Sequence, residues 1–427
     1  MGSLLIEGGS RIYGRIELGG NKNLALPALA ASVLAGNGKT VLHNVPDIKD
    51  VKSMLQILGH LGAKYEMSAG DVVIDATGIS TGDIPSELCG RIRTSILFAG
   101  PLATRLGYCR IGIPGGDPIG HRRLDTHFYG LSRLGVKLVS AEEGYALEKS
   151  DSPSEVQLFL DEPSVTGTEH IMMVAASVDC TTTIRNAACE PHVEQLAGLL
   201  NSMGAEITGA GTNVIVVKGN TQLHGGELTL ESDYVEAASY MTLCAAVGGD
   251  IEITGRISPH YYWMTRRIFE MFNCQFTVVP GRISMSSPDK LVVSPDMNNA
   301  IPVISDGPWP QFPSDMMSCF IALATQAQGT CMFFEKMFES RIFFVDKLIA
   351  MGANAIICDP HRVVISGPSR LRGITMYSPD IRAGMAMIIA ACCAKGVSSI
   401  ENIEMVLRGY QDIEEKLKAL GVKAELR

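Results

Sequence analysis

No stretch of this sequence is long and apolar enough to cross a bilayer. The longest uninterrupted apolar run, residues 383–394, has twelve residues, against the roughly 20 that a helical span needs. The opening MGSLLIEGGSRIYG carries neither the basic segment nor the apolar length of a secretory signal. Ile6 stands where a myristoylation motif needs Ser or Thr. These absences predict a cytoplasmic protein without membrane attachment. Positive charge is also in short supply. Thirty-six Lys and Arg face 45 Asp and Glu, for a formal net charge of -9, which excludes a general nucleic-acid binder. Any anion site must be a local basic pocket in an acidic chain. Eleven cysteines show no paired metal-site spacing, and the one close pair is Cys392 and Cys393. They read as buried free thiols in a reducing compartment.

What the chain does have is length and core: 427 residues, 46% of them apolar, enough for two or three domains. A unit recurs about every 70 residues. Its mark is a helix end running into a strand: LQILGHLGAKYE from Leu55, LSRLGVKLV from Leu131 and LAGLLNSMGAEIT from Leu196. It returns as IFEMFNCQFTV from Ile268, VDKLIAMGANAII from Val345 and IEEKLKALGVKAEL from Ile413. In five copies Gly follows Leu or Met where the helix stops, and the fourth has Asn273; glycine takes the left-handed conformation there without a Cβ penalty. Upstream of each lies a second helix that is apolar nearly all round, such as YVEAASYMTLCAAVGG, and is expected to be buried. A strand joins the two helices. Six such units predict an α/β protein of two lobes. Repeats one to three, residues 22–232, carry a loop at 113–127; repeats four to six occupy 233–427 and take residues 1–21 with them.

The loop reads IPGGDPIGHRRLDTH. Pro114, Gly115, Gly116 and Pro118 break regular structure and set Asp117 at a tight bend. Arg122 and Arg123 follow, guanidinium groups suited to phosphate or carboxylate. A solvated surface loop could have the same composition. Elsewhere Lys22, Arg93, Arg341, Arg382 and Arg408 fall at helix starts or after the middle strands. Together with Arg122 they would form an anion pocket, since helix N-termini attract anions. Acidic residues at the same places could instead be helix caps, with the arginines paired to them; Asp315 is one.

Seven motifs carry a family resemblance: GGNKNLALP at 19–27, the 113–127 loop, PSVTGTEHIMM at 163–173, FPSDMMS at 312–318, FESRIFFV at 338–345, DIRAGMA at 380–386 and RGYQDIEEKL at 408–417. In this order and spacing the chain resembles, over essentially its whole length, the UDP-N-acetylglucosamine 1-carboxyvinyltransferase family. These are enolpyruvyl transferases of the EPSP synthase-like superfamily. The chain looks like a variant with Asp in place of the usual catalytic Cys. The resemblance implies two inside-out α/β barrel lobes, each of three α-β-α-β units. It implies transfer of the enolpyruvyl group of phosphoenolpyruvate to the 3-hydroxyl of UDP-N-acetylglucosamine, with release of phosphate. That is the first committed step of peptidoglycan synthesis, and so serves cell-wall biogenesis, cell shape and division. The two substrates are the implied partners; neither nucleic acid nor membrane is one, and no metal or other cofactor is implied.

By the same resemblance Asp117 is the general acid and Asp315 the base and sugar contact. Lys22 and Asn23 match contacts to phosphoenolpyruvate and sugar, and Arg122 and Arg408 match clamps on the small substrate. Arg93, Arg341 and Arg382 complete the basic pocket. Arg122, Arg123, Leu124, Asp125 and Thr126 match the segment around uridine. Ser164, Val165 and Thr166 match the diphosphate contacts, and Met337 an aliphatic sugar contact. Cys109 and Cys189 are expected in the core. Departures gather at the nucleotide end. Arg123 stands where the family often has Pro, Glu162 where some members have Lys, Thr166 where they have Gly, and Tyr234 where Arg or His is common. They leave open another acceptor, such as a different uridine nucleotide or shikimate 3-phosphate, although the GSKS-type signature of the shikimate enzyme is replaced by GGNKNLALP. A catalytically silent nucleotide-binding protein is a third reading. The retained acid and base argue against it.

Overall fold

The computed structural model describes residues 2–427, whose contacts divide the chain into two units. The N-half unit comprises Gly20–Gly116 and Arg122–Leu230; the C-half unit comprises residues 2–19, Asp117–His121 and Glu231–Arg427. Sequence reasoning gave all of 113–127 to the first lobe. Its tip belongs instead to the C-half unit, because its polar groups are satisfied there. Asp117 pairs with Arg408, the His121 N–H donates to Glu339 Oε1 at 2.9 Å, and the Ser340 N–H donates to the Ile119 carbonyl at 3.1 Å.

Each unit holds three four-stranded sheets with one shared plan. In the N-half unit one sheet orders Glu227–Thr229, Thr40–His43, Asp71–Asp75 and Lys64–Ser68. The first pair is parallel and the rest antiparallel. The sheets Asp83–Ile84, Tyr108–Ile111, Tyr145–Lys149, Val136–Ser140 and Glu155–Phe159, Thr181–Arg185, Val214–Lys218, Glu206–Thr208 repeat it. In the C-half unit the N-terminal strands complete two of the three sheets. Ile12–Glu17 lies parallel to Gly249–Thr254. Ser3–Glu7 lies between Val397–Glu401 and Lys423–Leu426, with Leu4 opposite both Ile400 and Leu426.

The helices that are apolar all round are buried all round. In Tyr234–Val247 every residue from Tyr234 to Ala245 is buried, and in Ile381–Cys393 every residue up to Cys392 is. Within the C-half unit these two helices pack on each other and on Ser314–Ala324. Two separate apolar cores result, one per unit. Truncating a fully buried side chain such as Leu323 to alanine would cost about 2–5 kcal/mol. The second helix of each repeat stops where the sequence places its glycine. Gly62, Gly135, Gly204, Gly352 and Gly421 have φ between 85° and 109°, and Asn273 has φ 57°. Asparagine is among the few residues that enter that region without a large penalty.

Candidate active site

In the C-half unit the start of Ser314–Ala324 presents Asp315 to two arginines. Arg341 Nη1 donates to Oδ1 at 2.9 Å and Arg382 Nη2 to Oδ2 at 3.0 Å. Asp315 is therefore not the cap of its helix; Pro313 holds that position, without a side-chain bond. Burial alone would raise the Asp315 carboxyl, but the Arg382 and Arg341 charges overrule it and hold it well below the usual carboxylate range. Arg382 enters from the first turn of Ile381–Cys393, which is capped by Asp380 Oδ1 accepting from the Arg382 and Ala383 N–H groups. Its Nη1 donates to the Tyr410 hydroxyl at 3.2 Å, and its guanidinium lies over that ring. Arg341 is 4% exposed. Its Nε has no hydrogen-bond partner among the described residues, which leaves a buried N–H donor at the Asp315 site.

Behind Asp315, the Ser314 hydroxyl sits 2.8 and 2.7 Å from the two oxygens of Glu335. Burial, with Asp306 nearby, pushes the Glu335 carboxyl up to about 8. Beside this group Asp117 and Arg408 meet in a charge-assisted contact, each side chain 16% exposed. Arg408 ends the 3-10 turn Ile403–Arg408. Met337 is partly exposed, and its N–H donates to Asp306 Oδ2 at 3.3 Å.

In the N-half unit Lys22 opens the helix Lys22–Ala31, capped by Asn21, and its Nζ lies 2.8 Å from Asp50 Oδ2. Asn23 is half-buried one residue on. Arg93 opens a 3-10 turn and donates through Nη2 to the Arg122 carbonyl and, at 3.4 Å, to that of Arg123. Arg93 thus shapes the bend after the loop tip. The Arg123 side chain turns to Asp125 (2.9 Å) in an exposed pair. Leu124 precedes the helix Asp125–Arg133, whose first turn includes the buried Thr126 and His127; the loop foreseen through residue 127 ends there. Ser164 caps Val165–Ala176, its Oγ accepting from the Gly167 N–H at 3.2 Å. Val165 and Thr166 follow, half-buried, and Glu162 is exposed. Tyr234 is buried at the start of its helix, with its ring 5.6 Å from that of Trp309.

The structure thus joins Asp315 with Arg341 and Arg382, Asp117 with Arg408, and Arg93 with the backbone of Arg122 and Arg123. Of the cations expected to form the anion pocket, Lys22 faces Asp50, Arg341 and Arg382 face Asp315, and Arg408 faces Asp117, in keeping with the cost of a buried cation without a countercharge. Sequence reasoning missed Asp50, Glu335, Tyr410 and the buried pair His127 and His170. Asp50, an acidic residue in the first turn of Lys49–Leu61, and Glu335, directly after the apolar CMFF, were the available signals. Cys109 is fully buried, as expected; Cys189 is only half-buried. Among the described residues no helix is long and apolar enough to cross a membrane, and no cluster of three or more His, Cys, Asp or Glu is placed to hold a metal.

The family model of EPSP synthase (3-phosphoshikimate 1-carboxyvinyltransferase) matches residues 6–417. A UDP-N-acetylglucosamine 1-carboxyvinyltransferase of Borrelia garinii is 45% identical over 423 residues, covering 99% of this chain and 98% of its own. The enzyme of that name from Treponema denticola is 44% identical over 428 residues, covering 100% of both chains. Among solved structures, the enolpyruvyl transferase NikO of Streptomyces tendae superposes with a TM-score of 0.88 at 21% identity, covering 100% of this chain and 98% of its own. An EPSP synthase of Acinetobacter baumannii superposes with a TM-score of 0.76 at 17% identity, covering 100% of both. With a shared fold, a matched family model and relatives at this identity along the full length, the chain belongs to the EPSP synthase family and, within it, to the UDP-N-acetylglucosamine 1-carboxyvinyltransferases.

Proposed function

We propose that this protein transfers the enolpyruvyl group of phosphoenolpyruvate to the 3-hydroxyl of UDP-N-acetylglucosamine, the committing step of peptidoglycan synthesis, in the cytoplasm. The single observation that carries this reading is the near-full-length identity to relatives bearing that name. The two carboxylates held by arginines supply the chemistry. In the addition step Asp117 gives a proton to the methylene carbon of phosphoenolpyruvate. The sugar oxygen bonds to the adjacent carbon, and Asp315 takes the hydroxyl proton. In the elimination step the methyl group returns a proton, the bond from carbon to the phosphate oxygen breaks, and inorganic phosphate leaves. Arg408 and Arg122 clamp the small substrate, with Lys22, Arg93, Arg341 and Arg382 stabilising the developing charge. Asn23 and Met337 contact the sugar, the 122–126 segment takes uridine, and Ser164, Val165 and Thr166 take the diphosphate.

Asp315 as found, between two guanidiniums, is a weak base. Its role requires substrate anions to draw off part of that positive charge, which raises its proton affinity as the acceptor binds. Phosphate release from phosphoenolpyruvate, measured against UDP-N-acetylglucosamine, other uridine nucleotides and shikimate 3-phosphate, tests the assignment. Release with UDP-N-acetylglucosamine, and an enolpyruvyl ether in the product mass, is the expected result. Release only with another acceptor, or with none, rejects it.

A further inference from the structure

The helix Val165–Ala176 carries a fully buried histidine in an apolar stretch, and the chemistry above does not use it. His170 Nε2 lies 2.8 Å from the Gly100 amide nitrogen. His170 Nδ1 lies 3.0 Å from His127 Nδ1, and His127 Nε2 lies 3.2 Å from Thr166 Oγ1. The direction of this chain is set at its first link. A backbone N–H can only donate, so His170 Nε2 accepts. A neutral imidazole has one N–H; His170 therefore carries it on Nδ1 and donates to His127 Nδ1. His127 then carries its proton on Nε2 and donates to Thr166 Oγ1. Burial keeps both rings neutral, aided at His127 by the Arg93 and Arg122 charges. The contact needs glycine at position 100, where a Cβ would lie 2.7 Å from His170 Nε2 and 2.4 Å from Val174 Cγ2.

We infer that Thr166 is a specificity-determining residue for the nucleotide: the relay from Gly100 through His170 and His127 fixes its oxygen as an acceptor and turns its own O–H outward as a donor to the diphosphate. This rests on the functional reading above, which puts Ser164 to Thr166 at that group. Thr166 is half-buried at the first turn of its helix and makes no other side-chain hydrogen bond among the described residues. The oriented hydroxyl supplies a preset donor, which does not have to be reoriented on binding.

Steady-state kinetics and calorimetric titration of UDP-N-acetylglucosamine on wild type, Thr166→Val and Thr166→Ser test the role. Valine keeps the shape and removes the hydroxyl. The dissociation constant and KM for UDP-N-acetylglucosamine rise about tenfold in Thr166→Val, while KM for phosphoenolpyruvate stays within about twofold. Thr166→Ser returns to within about threefold of wild type. Imidazole 15N shifts of the wild type, which need no variant, read Nδ1–H at His170 and Nε2–H at His127. Either reversed tautomers or unchanged nucleotide binding in Thr166→Val overturns the role alone. A wild type that neither binds nor turns over UDP-N-acetylglucosamine overturns the functional reading and the role with it.

Discussion

Arg382 binds Asp315 and Tyr410 at once, with Nη2 3.0 Å from the carboxylate and Nη1 3.2 Å from the phenol oxygen. The phenol in turn meets the Ser239 hydroxyl at 2.8 Å. Asp315 is thus one end of a fixed network and the only carboxylate within ion-pair distance of either Arg341 or Arg382 among the described residues.

Asp315→Asn removes that countercharge and leaves two nearly buried guanidiniums facing an amide. Stability falls by about 3 kcal/mol, read from urea unfolding at neutral pH, and turnover falls at least about 100-fold. A variant with native stability would show that the arginines have another partner. Because the Asp315 carboxyl is held below its ordinary range, the stability it contributes is present at neutral pH. It is lost as the pH falls below the ordinary carboxylate range and through that lowered value.

Asp117 carries the proposed acid role without a thiol. Turnover should therefore persist in fosfomycin at concentrations that silence a relative with cysteine at this position. Asp117→Asn loses turnover by at least about 100-fold while still binding UDP-N-acetylglucosamine. Asp117→Cys restores turnover and acquires time-dependent inactivation by the epoxide. Intact-protein mass after incubation decides the matter, since covalent labelling of the wild type at the loop contradicts the assignment.

The buried imidazoles bring a pH dependence of their own. His127 is pushed down to about 3, first by burial and then by Arg93 and Arg122, and His170 is also lowered, by burial and His127. Between pH 3 and 6.5 the unfolded chain protonates His127 and the native state does not, and His170 is displaced in the same direction. Stability therefore rises with pH across that window, and the contribution is lost as pH falls below the ordinary histidine range. Urea midpoints from pH 4 to 7 should climb more steeply in the wild type than in His127→Gln. Parallel profiles would mean the ring is charged in the native protein.

Glu335 has the opposite sign. Burial raises it to about 8, so the native state keeps a proton that the unfolded chain releases above its ordinary value. Its contribution is complete below that ordinary value and is lost as pH rises through about 8. Glu335→Gln copies the protonated form. Its stability relative to wild type should improve from pH 5 to about pH 8, by up to about 1.4 kcal/mol per unit in the steepest part, and level off above. A difference independent of pH would mean that Glu335 is ionised in the native protein.

The repeat and the burial of its helices were legible because they rest on local rules. A helix that must stop in the left-handed region shows its glycine or Asn273, and a helix apolar on every face can only be buried. Asp117 and Asp315 were legible as motif residues. Their partners were not, because Arg408 lies 291 residues from Asp117 and Arg382 lies 67 from Asp315, and no period in the sequence encodes such pairings. His170 was hidden differently: one polar residue within VTGTEHIMMVAA reads as core. Only its contact with Gly100 gives it a direction.

Strand Ser3–Glu7 sits in the middle of its sheet, bonded on one side to Val397–Glu401 and on the other to Lys423–Leu426. Both of its neighbours lie about four hundred residues further along the chain, so it stays unpaired until they have been made. The N-half unit faces no such delay, since all its strands lie between Thr40 and Thr229. It can form while the remainder is still being translated, and the other half closes once Lys423–Leu426 has been made. A stalled ribosome short of Lys423 would therefore release a chain with one unit complete and the other holding an open sheet edge, the kind of surface that chaperones and proteases recognise.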